Sequence, residues 1–414
     1  IFGDADGIAM RIESDNVTVE GFTVQGVNQT IDYRGFSVEA SSSVIAENQI
    51  INASFGIVIN GNHNLVQNNV LISNYRAIVV SGYQNEISNN FMERCGHGIC
   101  PGGGENNTFS YNMMVGNDVG MDFLGDNHRL SIFNNVFLNN SVGVNFAFFG
   151  DSSDNFFFHN YFINNTAQVV VETPTVNTWD DGYPSGGNYW SDYEGVDNYS
   201  GPYQNETGSD GIGDTPYTIN ENNTDRYPLM TPITLKHDVA IADVHSPKTV
   251  VCEHLKCIIE VQILNEGDFP ETFNVTLYAN ETKIETKTLT SLPPGTSTTL
   301  TFIWDTEGWN RGNYTLHAYA HPVSNETDTA DNALTGDSII VSIIGDITGP
   351  DGLPDGKVNM RDIALIASKF GSVYPEPRYD PNCDLTGEVF GLPDGKINMR
   401  DLGWVALHFG EVAS

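Results

Sequence analysis

Positive charge is scarce in this sequence: 18 Lys and Arg face 53 Asp and Glu in 414 residues, a formal net charge of −35, and no lysine precedes Lys236. A surface of that sign excludes a nucleic-acid-binding role, which needs Lys and Arg in excess around the phosphates. It equally opposes docking on anionic lipid headgroups, and it attracts cations such as Ca²⁺. Long hydrophobic runs are missing as well; no stretch of 18 apolar residues occurs, so nothing reads as a membrane-spanning helix. The first residue is Ile1 rather than Met and no signal peptide is visible, so the sequence is expected to begin after processing or after an unseen segment.

Cysteine is sparse and unevenly placed: Cys95 with Cys100, Cys252 with Cys257, and Cys383 alone. Pairs five residues apart around a turn suit short local disulfides, which implies an oxidising compartment; buried reduced thiols are the alternative reading. What is abundant is asparagine. Thirteen Asn-X-Ser/Thr sequons begin at Asn16, Asn28, Asn52, Asn106, Asn139, Asn164, Asn198, Asn205, Asn222, Asn274, Asn280, Asn313 and Asn325. Together with the cysteines they point to an extracellular, N-glycosylated protein.

Asparagine also recurs in register. Asn48, Asn69, Asn90, Asn112, Asn135 and Asn160 each open an apolar triplet, in steps of 21, 21, 22, 23 and 25 residues. Eight residues behind the first five stand Gly56, Ala77, Gly98, Gly120 and Gly143, and each of these opens a short strand. Such strands cannot bury a face alone, but stacked coil on coil they share a continuous core. Period-2 alternation turns Ile57, Ile59, Met121 and Phe123 inward and Val58 and Asp122 outward. The expected fold is a right-handed parallel β-helix, with asparagines bonded in a ladder between coils.

These coils resemble the NosD-like, pectin-lyase-type β-helix repeats common in archaeal and bacterial surface proteins. The resemblance extends into Gly187-Asn188-Tyr189-Trp190 and Asp210-Gly211-Ile212-Gly213-Asp214, similar to the segment that closes such helices. The expected division is residues 1–178 for the β-helix and 179–233 for the closing segment, whose Trp179, Trp190, Tyr193 and Tyr227 are suited to cover the last coil's edge. Asp192, Asp210 and Asp214 are a candidate Ca²⁺ site there, with plain Asx turns as the alternative. Catalysis on this fold would need clustered acids with a base, or paired carboxylates. The outward candidates Glu93, Arg94, His97, Asp118, Asp122, Asp126, His128 and Arg129 share no obvious column. No catalytic residue is assigned, and a non-enzyme is expected.

From residue 234 to 344 short alternating strands are separated by Asn-Glu-Gly, Pro-Pro-Gly and Arg-Gly-Asn turns, the pattern of an immunoglobulin-like β-sandwich with Trp304 in its core. Leu292-Pro293-Pro294-Gly295 and Glu326-Thr327-Asp328 with their neighbours resemble the CARDB family, which implies an extracellular spacer or adhesion module.

Residues 345–414 contain an internal duplication. Gly352-Leu353-Pro354-Asp355-Gly356-Lys357-Val358-Asn359-Met360-Arg361-Asp362 returns as Gly391-Leu392-Pro393-Asp394-Gly395-Lys396-Ile397-Asn398-Met399-Arg400-Asp401. Oxygen-bearing side chains and a turn glycine at this spacing suit Ca²⁺. The candidate ligands are Asp346, Asp351, Asp355, the Lys357 carbonyl, Asn359 and Asp362 in the first copy, with Asp351 competing with Asp346 for the first position. In the second copy they are Asp384, Asp394, the Lys396 carbonyl, Asn398 and Asp401. The pair resembles the type I dockerin family, a small α-helical EF-hand-type pair. It departs from that pattern in extra residues before Asp355 and Asp394 and in Thr348 and Thr386, which stand where Asn or Asp is usual.

The function expected is that of a non-enzymatic, calcium-stabilised surface protein. It would form a homo-oligomer or a head-to-tail polymer, or use its tail as a connector to a cohesin-like partner. A β-helix that binds or cleaves acidic polysaccharide is the alternative. A NosD-like role in copper maturation ranks third, because Met113 and Met114 fall in the core column.

Overall fold

The computed structural model describes residues 7–26, 33–146, 150–172 and 174–413. Two compact units divide the chain near residue 234. Among the described residues no helix is long and apolar enough to cross a membrane.

The first unit is built on a parallel β-solenoid of three sheets, followed by two small antiparallel pairs, Tyr199–Ser200 with Glu206–Thr207 and Tyr217–Asn220 with Asn223–Asp225. One sheet of the solenoid runs from Ile8–Ile12 through Arg34–Val38, Phe55–Ile59, Arg76–Tyr83, His97–Glu105, Val119–Phe123 and Val142–Phe146 to Ala167–Val171. A second runs from Thr18–Glu20 to Phe156–Phe158, and a third from Thr23–Gln25 through Tyr161–Ile163 to Tyr189–Trp190. Register places like on like. Phe36, Ile57, Ile78, Ile99, Met121 and Val144 succeed one another in the first sheet, and all are fully buried. Ile45, Val66, Ile87, Phe109, Ile132 and Phe157 do the same in the second.

Three corners join the sheets, and each repeats one device. A residue in the left-handed region, such as Asn68 (φ 54°), Asn89 (φ 55°) or Tyr111 (φ 56°), turns the chain just before a buried asparagine. The Asn90 side chain shows what that asparagine does. Its Oδ1 accepts from the Asn69 backbone N–H at 3.1 Å and from Asn69 Nδ2 at 2.9 Å, while its Nδ2 donates to the carbonyls of Val66 and Ser88. The expected ladder through Asn48 is therefore present, but it is one of three. The others run through Asn64, Asn85 and Asn107, and through Asn74, Cys95, Asn117 and Asn140.

That third ladder corrects the disulfide expectation for Cys95 and Cys100. All five cysteines are free and buried. Cys95 occupies an asparagine position: its Sγ accepts from the Asn74 N–H at 3.4 Å, and its own N–H donates to Asn117 Oδ1 at 2.8 Å. Burial pushes its thiol up to about 12. Cys100 sits in a strand of the first sheet beside Val79. The glycine column after the corners also has a different cause from conformational freedom. A Cβ on Gly98 would lie 2.4 Å from the Gly120 carbonyl oxygen, so close approach between coils sets that residue.

The second unit begins with two facing sheets. Val239–His245, Lys256–Asn265 and Ser297–Asp305 form one; Val250–Cys252, Ala333–Ser342, Gly312–Ala320, Glu271–Ala279 and Thr282–Leu292 form the other. Alternation along Lys256–Asn265 buries Cys257, Ile259, Val261 and Ile263, which pack with Phe302, Leu316 and the expected core residue Trp304. The second cysteine pair is corrected in the same way as the first. Cys252 Sγ accepts from Ser342 Oγ and the Gly345 N–H, whereas Cys257 faces the interior from the other sheet.

The tail adds two helices, α1 (Met360–Lys369) and α2 (Met399–Leu407). Asn359 and Asn398 cap them, each in a capping box with the aspartate three residues on. Ile347, Val358, Ile366, Cys383, Leu385, Ile397 and Val405 join the sandwich core in one apolar cluster, so sandwich and tail are built as a single unit.

Two substitutions test the ladders by chemical denaturation. Asn90→Ala leaves the Asn69 N–H and two carbonyls without partners and is expected to cost about 2–4 kcal/mol. Cys95→Asn, which puts an asparagine between Asn74 and Asn117 in the third ladder, is expected to stabilise by about 1 kcal/mol.

Candidate functional site

In each duplicated loop two aspartates far apart in sequence are drawn inward. Asp346 and Asp362 are buried in the first loop, Asp384 and Asp401 in the second. Asp346 accepts the N–H groups of Asp355 (3.2 Å) and Gly356 (2.7 Å). Asp362 accepts those of Ile347 and Thr348 on one oxygen and that of Asn359 on the other. The second loop repeats this with Asp384 on Asp394 and Gly395, and Asp401 on Leu385, Thr386 and Asn398.

Burial, with the neighbouring Asp362 and Asp355, raises the Asp346 carboxyl to about 6, although its backbone hydrogen bonds pull the other way. Burial raises Asp401 likewise, with Asp384 adding to the effect. Carboxylates held close at this cost suit a hard divalent cation. Asp355 and Asp394 stand at the rim, each loosely paired with an arginine (Arg361 at 3.9 Å, Arg400 at 3.7 Å). The Lys357 and Lys396 carbonyls turn toward the Asn359 and Asn398 amides. Asp351, the competitor for the first position, is exposed, and Asp346 takes the inward place. Among the described residues, no three acidic, His or Cys side chains gather into one metal-binding group. A cation in either loop would rest on two buried carboxylates, a rim aspartate, the asparagine oxygen and a main-chain carbonyl.

The closing segment uses its aspartates differently. Asp192 accepts from Tyr217 Oη and Gln168 Nε2, Asp210 from Gly201, Gln204 and Ile212, and Asp214 from Asn198 and Tyr199. The expected Ca²⁺ site at Asp192, Asp210 and Asp214 is therefore not assembled; the three anchor separate loops. Trp179 and Trp190 are buried as expected, and the column Phe137, Phe162, Trp190, Tyr217 is stacked throughout. Two residues that the sequence reading passed over end the ladders. Asn223 Oδ1 accepts from Asn177 N–H and Trp179 Nε1; Asp225 Oδ2 accepts from Asn188 N–H and Trp190 Nε1.

On the first sheet of the solenoid a second pattern emerges. Arg34, Phe55, Arg76 and His97 occupy one column in consecutive coils, a spacing of 21 residues that repetition alone could have exposed. Arg34 and Arg76 both lie over the Phe55 ring, and Arg76 also over Tyr75. Arg76 has no carboxylate partner among the described residues, and its buried Nε makes no hydrogen bond. His97 Nδ1 is 3.0 Å from Asp122 Oδ2, an ion-pair contact outside hydrogen-bond geometry. Asn145 and His97 cover Asp122, so this outward position is buried. Beside the column a shallow cavity of about 310 Å³ is lined by Asn74, Tyr75, Arg94, Cys95, Gly96, Gly116 and Asp118. The remaining candidates are dispersed: Glu93 pairs with Arg94, Arg129 with Glu105, Asp126 accepts from Asp151, and His128 meets the Ser153 carbonyl.

Every sequon asparagine among the described residues is exposed, in contrast to the buried ladder asparagines. Asn28 lies outside the described residues.

Residues 1–148 and 142–195 match the family model of the periplasmic copper-binding protein NosD, and residues 236–336 match that of CARDB. The chain carries a NosD-type β-helix region and a CARDB domain. Among solved structures, the CARDB domain of a Pyrococcus furiosus protein in complex with di-metal ions is 22% identical, covering 27% of this chain and 98% of that one (TM-score 0.24). A domain of a Methanosarcina acetivorans protein described as a cell surface protein is 25% identical over 26% of this chain and 93% of that one (TM-score 0.23). A type II cohesin–X-dockerin complex from Acetivibrio cellulolyticus is 21% identical over 34% and 83% (TM-score 0.15). No curated protein matches the chain.

Asp225 gives the NosD-type region a pH dependence. Burial raises its carboxyl to about 7, with Asp180 adding to the rise, against three opposing hydrogen bonds from Asn188, Trp190 and Tyr227. A raised carboxylate binds its proton more tightly when folded. Its contribution is complete below the unfolded value near 4 and is lost as pH rises through about 7. Unfolding midpoints at pH 5 and pH 8 should therefore fall with pH in the native chain, by up to a few kcal/mol. In Asp225→Asn that slope should be reduced.

Proposed function

We propose that this chain is an extracytoplasmic, non-enzymatic glycoprotein of the cell surface, stabilised by Ca²⁺ and connected to a partner through its tail. The observation that carries this reading is the set of four buried aspartates in the duplicated loops, where Asp362 raises the Asp346 carboxyl and Asp384 that of Asp401. A bound Ca²⁺ would neutralise charge that the fold otherwise holds at a cost. Asp346, Asp355, Asn359, Asp362 and the Lys357 carbonyl would hold one ion; Asp384, Asp394, Asn398, Asp401 and the Lys396 carbonyl would hold the other. In this reading the loops are dockerin-like and EF-hand-type.

Surface location is supported by the NosD family's periplasmic description and by the exposed sequons. The connector role is supported by the apolar side chains that the tail leaves in solvent, including the equivalent pair Met360 (62% exposed) and Met399 (64%). The partner is a cohesin-like domain or a second copy of the chain. A second copy bound in this way would extend the assembly head to tail. The copper chemistry of the NosD description finds little support, because Met92, Met114 and Met121 are fully buried in the core.

A second reading, acidic-glycan binding by the solenoid, is favoured by the Arg34–Phe55–Arg76–His97 column. An uncompensated guanidinium between aromatic rings suits a carboxylated sugar, with the ring faces taking the pyranose and Arg76 its carboxylate.

Thermal unfolding separates these readings. Ca²⁺ at 100 times its dissociation constant should stabilise the second unit by about 2.7 kcal/mol per site, and EGTA should reverse the gain; a midpoint indifferent to both removes the calcium reading. Electron microscopy with Ca²⁺ should reveal assemblies if the partner is a second copy, and monomers alone would remove that partner and leave the cohesin-like domain. For the glycan reading, Arg76→Ala should weaken binding of uronate oligosaccharides about tenfold or more. Release of unsaturated sugar ends by the native chain would contradict the non-enzymatic assignment.

A further inference from the structure

The two calcium loops share their ligand pattern, yet the sandwich treats them differently. In the first loop the main-chain carbonyl of Asp346 accepts from the hydroxyl of Ser342 at 2.6 Å. In the second the corresponding carbonyl of Asp384 accepts from the ammonium group of Lys248. Ser342 is neutral, while Lys248 is a cation that is 97% buried, reaching the loop from the sandwich's edge. Burial lowers the pKa of its ammonium group, while the carboxylates of Asp384 and Asp401 pull it back up and favour the charged form. A second donor reaches only this loop: Tyr379 Oη donates to Asp384 Oδ2 at 2.7 Å, in addition to the two backbone N–H groups that each first-position aspartate receives. The rim arginines do not distinguish the loops, since Arg361 and Arg400 stand at nearly equal distances from Asp355 and Asp394.

We propose that the duplicated loops are unequal calcium sites: the loop at Asp346 is the tighter, and the loop at Asp384 the weaker, because Lys248 already supplies positive charge beside its carboxylates. The inference rests on the calcium reading above. Like charge at the edge of a divalent site weakens the ion's binding, and at protein-like dielectric one unit charge weighs on the order of tenfold or more. The lysine also couples the weaker site to the sandwich. Asn382, two residues before Asp384, accepts the N–H groups of Thr249 and Val250 through its side-chain oxygen, so the segment carrying Lys248 and the second loop are pinned together.

Calorimetric titration of the divalent-free full chain with Ca²⁺ tests this. Two transitions separated by about tenfold or more are expected, the tighter lost in Asp355→Ala and the weaker in Asp394→Ala. Lys248→Met should tighten the weaker site by that factor, whereas Lys248→Arg, which keeps the charge, should preserve the gap. Two equal sites in the native chain would overturn the inference and leave the calcium reading standing. So would a gap unchanged in Lys248→Met, or loss of the tighter site in Asp394→Ala. Absence of any calcium uptake would overturn both. Should circular dichroism find Lys248→Met unfolded, the two aspartate variants still decide which loop is tighter.

Discussion

A coil that turns three times in little more than twenty residues buries backbone amides at its corners, and those amides need partners that no sheet supplies. Much of the first unit follows from the answer, a buried asparagine at most corners. One side chain brings an acceptor and a donor, so Asn90 satisfies the coil before it through Oδ1 and main-chain carbonyls through Nδ2. An apolar residue there would leave several polar groups unpaired in a medium where each costs about 1–3 kcal/mol. The ladder also fixes register. A slip by one residue would remove the amide from its partner and turn every core side chain of the coil outward.

The same need recurs where the solenoid ends and in the tail, but aspartate answers it. Asp225 receives the last ladder amide and the Trp190 indole, and Asp362 and Asp401 receive the amides of the duplicated loops. Carboxylate is the stronger acceptor, and its charge must be answered by a proton or a cation. At Asp225 the fold raises the carboxyl toward neutrality. In the loops two such groups lie within electrostatic reach of each other, so a single proton does not remove the problem and a divalent ion suits it better. The loop with Lys248 has part of that answer within the chain.

How much of this was legible follows from what interrupts a pattern. The central ladder was readable because asparagine holds every position from Asn48 to Asn160. The other two were hidden because Ser43, Leu130, Ala53 and Cys95 stand in their columns, and the coils lengthen toward the end. Cys95 misled for the same reason: paired with Cys100 by spacing, it reads as a disulfide, yet it substitutes for an asparagine. The duplicated loop announced itself through eleven matched positions, and the inward Asp346 was separable from Asp351 only in three dimensions. Lys248 left no local trace, since it meets Asp384 across 136 residues of sequence. The shared core of sandwich and tail was equally invisible, because each half carries a self-sufficient apolar pattern.

In a chain with so few cations, where they sit says more than how many acids surround them. Most of the paired cations lie near the surface and match an acid: Arg226 with Asp180, Arg311 with Glu253, Arg129 with Glu105. Exposed pairs of that kind add little to stability. Arg76 and Lys248 are the departures, one held between aromatic rings without a carboxylate and the other buried against a main-chain carbonyl. Each forgoes the solvation that a surface position would give it, and in an excess of acid a partner was never far to seek. Ladders and core account for why the chain folds; these two positive charges fall outside that account.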